Sequence, residues 1–321
     1  MIGASQMRAF VFPGQGSQAV GMGRELAGTF AVARETFAEV DAALGQKLST
    51  LMFEGPIEEL TLTENAQPAL MAVSMAALRV LQAEKGLDLA RHAAFVAGHS
   101  LGEYSALCAA GALDLADTAR LLRLRGQAMQ RAVPVGLGAM AAILGAEIEA
   151  AREIAAAAAA EGAAAGEVCS AANDNAPGQV VVSGHRAAVE RAVRIAAERG
   201  FRKAMMLNVS APFHCALMAP AADAMAEALA GVAIRAPAVP LVANVTAAAV
   251  SDPDTIRRLL VEQVTGAVRW REAVLYMRDQ GVTELVELGS GKVLAGLARR
   301  IDKDLAATSI GAPADIAGFQ P

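Results

Sequence analysis

The stretch AAFVAGHSLGEYSALCAA (93–110) constrains this chain more than any other. A short apolar run ends at Gly98, Ser100 follows, a second glycine stands at Gly102, and a helix-forming sequence begins. In the pattern G-x-S-x-G the glycines let the chain turn sharply from strand into helix, and the serine at the apex projects from the sheet edge. A strand feeding directly into a helix predicts α/β layers with a mostly parallel sheet. Ser100 itself reads two ways. As a nucleophile it stands where the N–H groups that open the next helix converge, beginning with Leu101, and such groups suit an oxyanion. As an ordinary turn residue it caps that helix. A serine hydroxyl attacks only with a base in hydrogen-bond reach, so the choice passes to the histidines.

The flanking sequence supports layers. MRAFVF (7–12) predicts a strand entering the glycine-rich turn PGQGSQAVGMG. Helices follow in ELAGTFAVARETFAEVDAAL and, after TENAQP, in ALMAVSMAALRVLQ; residues 115–133 form another. Residues 138–207 change character. GAMAAILG, EVCSAA, QVVVSG and RKAMMLN read as strands, EIEAAREIAAAAAAEG and RAAVERAVRIAAERG as helices, and NDNAPG as a turn. The order β-α-β-β-α-β predicts a ferredoxin-like unit inserted into the larger one. The expected division is a large α/β subdomain over 1–136 and 208–321 and a small one over 137–207. LVANVTA (241–247), WREAVLYMRDQG, TELVELG and KVLAGLARRI then alternate as strand, helix, strand and helix, and the final GAPADIAGFQP suggests no role.

Of the four histidines, His99 adjoins Ser100, so its side chain leaves the elbow in a different direction and a structural role is expected. His92, in a polar connection, and His185, opening a small-unit helix, read as solvated. His214, in NVSAPFHCALM, lies where the small unit returns to the large one, a loop placed to reach a sheet-edge serine. The GQGSQ turn fails the dinucleotide fingerprint, because the third glycine would fall at Ala19, and GSGKVLAG lacks the P-loop residues at Val286 and Val293. A better use of the first turn is to bring the Gln15 N–H to the site as a second oxyanion donor. On the 115–133 helix, Leu121, Arg125, Ala128 and Met129 share the apolar face by the i, i+4, i+7, i+8 rule. A buried guanidinium is costly unless a carboxylate neutralises it. That anion is either an internal carboxylate or a carboxylate-bearing acyl group held in fork geometry.

Composition narrows the rest. The chain of 321 residues is 55% hydrophobic, with a net charge of −5, which gives no support for nucleic-acid binding. No apolar run approaches the ~20 residues of a membrane span, and the N-terminal residues have no signal-peptide layout. Cys108, Cys169 and Cys215 are odd in number and far apart, as expected for reduced thiols of a cytoplasmic protein without a metal site. Nothing in the sequence demands a dimer, so a monomer is expected.

FVFPGQGSQAVGMG, TENAQPAL, GHSLGEYSAL, RLRGQAMQ, NDNAPGQVVVSG, NVSAPFHCALM and ELGSGKVLAGLARRI occur in that order between about residues 8 and 301. Together they resemble the malonyl-CoA:acyl-carrier-protein transacylases and the acyltransferase domains of polyketide and fatty-acid synthases. The resemblance implies a hydrolase-like α/β subdomain with a ferredoxin-like insertion. It also implies ping-pong transfer without a bound cofactor. Malonyl-CoA acylates Ser100 with His214 as base, Gln15 and Leu101 hold the oxyanion, and the phosphopantetheine thiol of acyl carrier protein accepts the malonyl group. Arg125 would pair with the malonyl carboxylate. Gln263 matches the position whose backbone carbonyl orients the histidine, so no triad acid is expected. Asn173 or Asn175 would line the site. Phe213 resembles the malonyl-selective members, where a bulky ring excludes an α-methyl branch. For an acidic carrier protein, Arg202, Lys203, Arg299 and Arg300 are either a docking patch or ordinary solvated charge. The rival readings are a serine esterase or thioesterase on the same elbow and a silent module that only docks carrier protein. The expected activity is malonyl transfer in fatty-acid synthesis, with a polyketide-pathway acyltransferase as the alternative.

Overall fold

Strand β1 (Arg8–Phe12) sits at the centre of the molecule, buried on both faces as parallel strands are when helices cover each side. A computed structural model describes residues 7–321; the expected short tail at residues 1–6 lies outside them. β1 pairs in parallel with β2 (Phe95–Gly98) and with β9 (Glu284–Leu288). The large sheet runs β10-β9-β1-β2-β7-β8, with β7 at Leu241–Val242, β8 at Ala249–Val250 and β10 at Ala306–Ile310. All its pairings are parallel except β7 with β8. Alternation along β1 divides the core. Phe10 and Phe12 join the cluster under the Thr63–Lys85 and Leu115–Ala132 helices, while Ala9 and Val11 join Trp270 and Leu294 on the other face. Each phenylalanine, fully buried, contributes about 1.5–3 kcal/mol of burial.

The second sheet is antiparallel, ordered β4-β5-β3-β6, with β3 at Gly138–Leu144, β4 at Cys169–Ala176, β5 at Gln179–His185 and β6 at Lys203–Met206. Helices Ile148–Glu161 and Arg186–Glu198 cover one face with a core that includes Ile143, Ile154, Val182 and Ile195. Met140 and Val181 on the opposite face pack toward Leu207, Val209 and Phe213. The β-α-β-β-α-β expectation therefore holds.

Tertiary contacts overrode several local expectations. The long helix read over residues 25–44 is broken at Phe30, which is extended (φ −118°) and packs against the large core. TENAQP is not a connection: the helix starts at Thr63 and carries Pro68 in its sixth position. Gly126 explains the close helix crossing there, since a Cβ on it would lie 2.5 Å from Glu64 Cα. NDNA is strand, not turn. Irregular pairing with β5 and the Asp174 N–H donating to Val268 O hold it extended, with Val268 N–H donating to the preceding Ala172 O, leaving Pro177–Gly178 to turn. LVANVTA pairs only at Leu241–Val242, after which the chain folds back through Ala247 (φ 51°). The tail has a packing role: Phe319 is buried edge-on against Phe10 at 6.4 Å. No helix among the described residues is long and apolar enough to cross a membrane.

Candidate active site

β2 ends opposite the end of β1, pairing Gly98 with Phe12, and the chain then turns into the Gly102–Ala109 helix. The two glycines are obligatory for space. A Cβ on Gly98 would lie 1.9 Å from the Gly102 carbonyl carbon, and one on Gly102 2.2 Å from Phe12 O. Between them Ser100 adopts φ 54°, a left-handed conformation that costs a non-glycine residue about 1–3 kcal/mol. Asn244, just past β7, holds this turn: its Oδ1 accepts the Ser100 N–H at 2.8 Å and its Nδ2 donates to Gly98 O at 2.7 Å.

His214 lies 114 residues along the chain, yet its Nε2 is 2.7 Å from Ser100 Oγ. Its Nδ1 faces the carbonyl oxygens of Gln263 at 2.9 Å and Gly266 at 3.1 Å. Carbonyls only accept, so Nδ1 carries the proton and Nε2 is left to accept from the serine hydroxyl. Burial, reinforced by the charge of Arg125, pushes His214 down to about 3, which keeps the ring neutral with Nε2 free to accept a proton. No carboxylate bonds Nδ1 among the described residues.

Arg125 is 1% exposed. It donates through Nη1 to Gln67 Oε1 and through Nη2 to Gln263 Oε1, both at 2.8 Å, and Nη2 lies 3.2 Å from Ser100 Oγ. Its guanidinium also lies 5.7 Å over the Tyr104 ring. Burial holds it below its ordinary range, opposed by Tyr104 and Glu103. No ion pair forms to it among the described residues; Glu103 acts on it only at a distance. Of the two anions left open by the sequence, the directly bonded internal carboxylate is therefore absent.

A cavity of about 230 Å³ opens over Ser100. Gln15, Leu101, Arg125, Phe213, Asn173 and Asn175 all line it. The N–H groups of Gln15 and Leu101 donate to no protein acceptor among the described residues. A more open hollow of about 490 Å³ lies over residues 27–53, but no histidine lines it and its Asp41 is bonded to Ser49.

This pairing of an elbow serine with a distant histidine and a buried arginine can take an acyl group from an ester or thioester and hold an acid at its far end. Residues 9–316 match the family model described as "Acyl transferase domain". The chain belongs to that acyl transferase family. A malonyl CoA-acyl carrier protein transacylase from Escherichia coli K12 is 49% identical over 309 residues, 96% of this chain and 97% of the relative. An acyl-carrier-protein S-malonyltransferase crystal structure from Bartonella henselae is 56% identical, covers 97% of each chain and superposes with a TM-score of 0.93. A malonyl-transacylase solved with its type II polyketide acyl-carrier protein is 44% identical, with a TM-score of 0.92 over 97% of this chain and 98% of that one.

Within this acyl transferase, His99 points away from the serine. Its Nε2 meets Asn175 Oδ1 at 2.7 Å and its ring tilts against Trp270 at 5.8 Å, where burial lowers its pKa. His92 and His185 are not simply solvated: each is half-buried, with Nδ1 accepting a backbone N–H from Asp88 and Val168 respectively. Asn173 and Asn175 stand two residues apart on β4 and so share the cavity face. Arg202 and Lys203 are exposed where β6 begins. Arg299 and Arg300 are displaced from the cavity. They end the Val293–Ile301 helix, which runs back toward the edge where the parallel strands start, and Arg299 donates to Ala307 O there. The roles of Asn244, Glu103, Gln67 and Gly266 were not legible even where a quoted motif contains the residue, because each acts through a hydrogen bond whose partner is distant in sequence.

Proposed function

We propose that this protein transfers the malonyl group of malonyl-CoA to the phosphopantetheine thiol of acyl carrier protein through a malonyl-Ser100 intermediate. The buried Arg125 carries the reading: a cation without a bonded carboxylate, 3.2 Å from Ser100 Oγ, is a receptor for an acyl group ending in an anion. Ser100 Oγ attacks the thioester carbon as its proton passes to His214 Nε2. The carbonyl oxygen becomes an oxyanion facing the Gln15 and Leu101 N–H groups. Removing one such donor typically costs about 10²–10³ in rate. Collapse expels CoA, whose sulfur takes the proton from His214. The carrier thiol then loses its proton to His214, attacks the malonyl ester, and returns Ser100 to its hydroxyl form. The Gln263 and Gly266 carbonyls orient the imidazole in place of a triad acid.

Phe213 narrows the cavity against an α-methyl branch, and Asn173 and Asn175 border the substrate. The exposed Arg202 and Lys203 suit an acidic carrier protein, with contacts that raise the association rate and weaken with salt. The free thiols of Cys108, Cys169 and Cys215 fit a reducing cytoplasm. Incubation with malonyl-CoA and intact-mass measurement tests the reading: one malonyl adduct is expected on the wild type and none on Ser100→Ala. Free malonate as the main product in the presence of carrier protein would favour a hydrolase instead.

A further inference from the structure

One carboxylate oxygen joins the supports of the serine, the histidine and the arginine. Glu103, fully buried on the first turn of the elbow helix, accepts through Oε2 from the Asn244 backbone N–H at 2.8 Å and from Gln263 Nε2 at 3.2 Å. Asn244 in turn bonds the peptide groups on both sides of the elbow, Gly98 O and Ser100 N. Gln263 Nε2 also donates to Ser100 O at 2.9 Å, its Oε1 accepts from Arg125, and its backbone carbonyl accepts from His214. The orientation of the Gln263 amide is forced. A guanidinium has no acceptor, so Oε1 must face Arg125 and Nε2 must face Glu103. Without the Glu103 oxygen, the Asn244 N–H is left buried and unpaired, and one anchor of the Gln263 amide is lost.

We propose that Glu103 and Asn244 are positioning residues for the acylation step: together they clamp the strained Ser100 backbone and fix the amide that aligns His214 with Arg125. Neither touches the reacting atoms. The inference rests on the malonyl-serine reading, and single-turnover acylation by malonyl-CoA, followed by intact mass, separates the two. Absence of any adduct on wild-type protein would overturn that reading itself. Given a wild-type adduct, Glu103→Leu and Asn244→Ala should lower the maximal acylation rate about 10–100-fold, the order expected when a buried N–H beneath the site loses its acceptor. The reactive fraction should not change. Glu103→Gln, which keeps an oxygen for both N–H groups, should restore most of the rate. The proposal is overturned if the Leu and Ala variants acylate at the wild-type rate. It is also overturned if they lose only reactive fraction while the remainder reacts normally, or if Glu103→Gln is as slow as Glu103→Leu. Failure of both Glu103→Leu and Asn244→Ala to fold would make the pair a folding element and overturn it equally.

Discussion

Replacing Arg125 by alanine tests the acyl-group assignment directly. The guanidinium is 1% exposed, held by two amide oxygens, and has no bonded carboxylate among the described residues. A malonyl carboxylate entering the cavity would complete a buried ion pair, and breaking such a pair by removing one partner costs about 3–5 kcal/mol. At 1.36 kcal/mol per tenfold, that predicts a fall of about 10²–10⁴-fold in the second-order rate of malonyl acylation. Acetyl-CoA supplies the internal control. Its methyl group faces an unpaired cation in the wild type and an apolar alanine in the variant, so acetyl acylation should hold or rise. Single-turnover mass measurement with both thioesters gives the ratio. If both rates fell together, Arg125 would act by holding Gln263 and not by binding substrate. If malonyl acylation survived, the carboxylate clamp would be refuted.

His214→Ala should cut acylation about 10²–10⁴-fold, the usual worth of a positioned base, whereas His99→Ala should lower the thermal midpoint and leave the rate of the folded fraction unchanged. Because His214 is pushed down to about 3, the acylation rate should show no inflection at the ordinary value of 6.5. The same depression means the unfolded chain binds the proton first as pH falls. The stability from neutral His214 is therefore complete above 6.5 and lost toward 3, which denaturant midpoints of wild type and His214→Gln against pH would show. Phe213→Ala should relax discrimination against methylmalonyl-CoA by about 10–200-fold, the worth of one methyl group, in a competition assay. Gly98→Ala should yield no folded protein, since its Cβ would lie 1.9 Å from backbone, and soluble expression checks this.

Much of this protein was legible locally. Apolar runs followed by helix-forming stretches marked β1, β2 and β9, and period-3.6 patterning placed Arg125 on the inner face of its helix, because those signals depend only on neighbours in the chain. The elbow glycines announced Ser100 for the same reason. Where long-range bonds outweighed local preference, the reading failed: NDNA became strand through Val268, and the terminal strand and helix, unmarked in sequence, were fixed by packing on β9 and Phe10. The small unit's element order was readable from its pattern, whereas its place at the cavity was implied only by the family resemblance, through Asn173 and Asn175.

The sequence by itself determined the elbow, the nucleophile candidate and the inward arginine, since spacing along a strand or helix sets the direction of a side chain. Only the tertiary structure decided which atoms meet. It brought His214 Nε2 to Ser100 from 114 residues away, denied Arg125 a bonded carboxylate, and gathered Asn244, Gln263 and Glu103 beneath the turn. A hydrogen bond has no period in sequence. Its partner is chosen by how the sheets and helices pack, and the chemistry of this site rests on bonds of that kind.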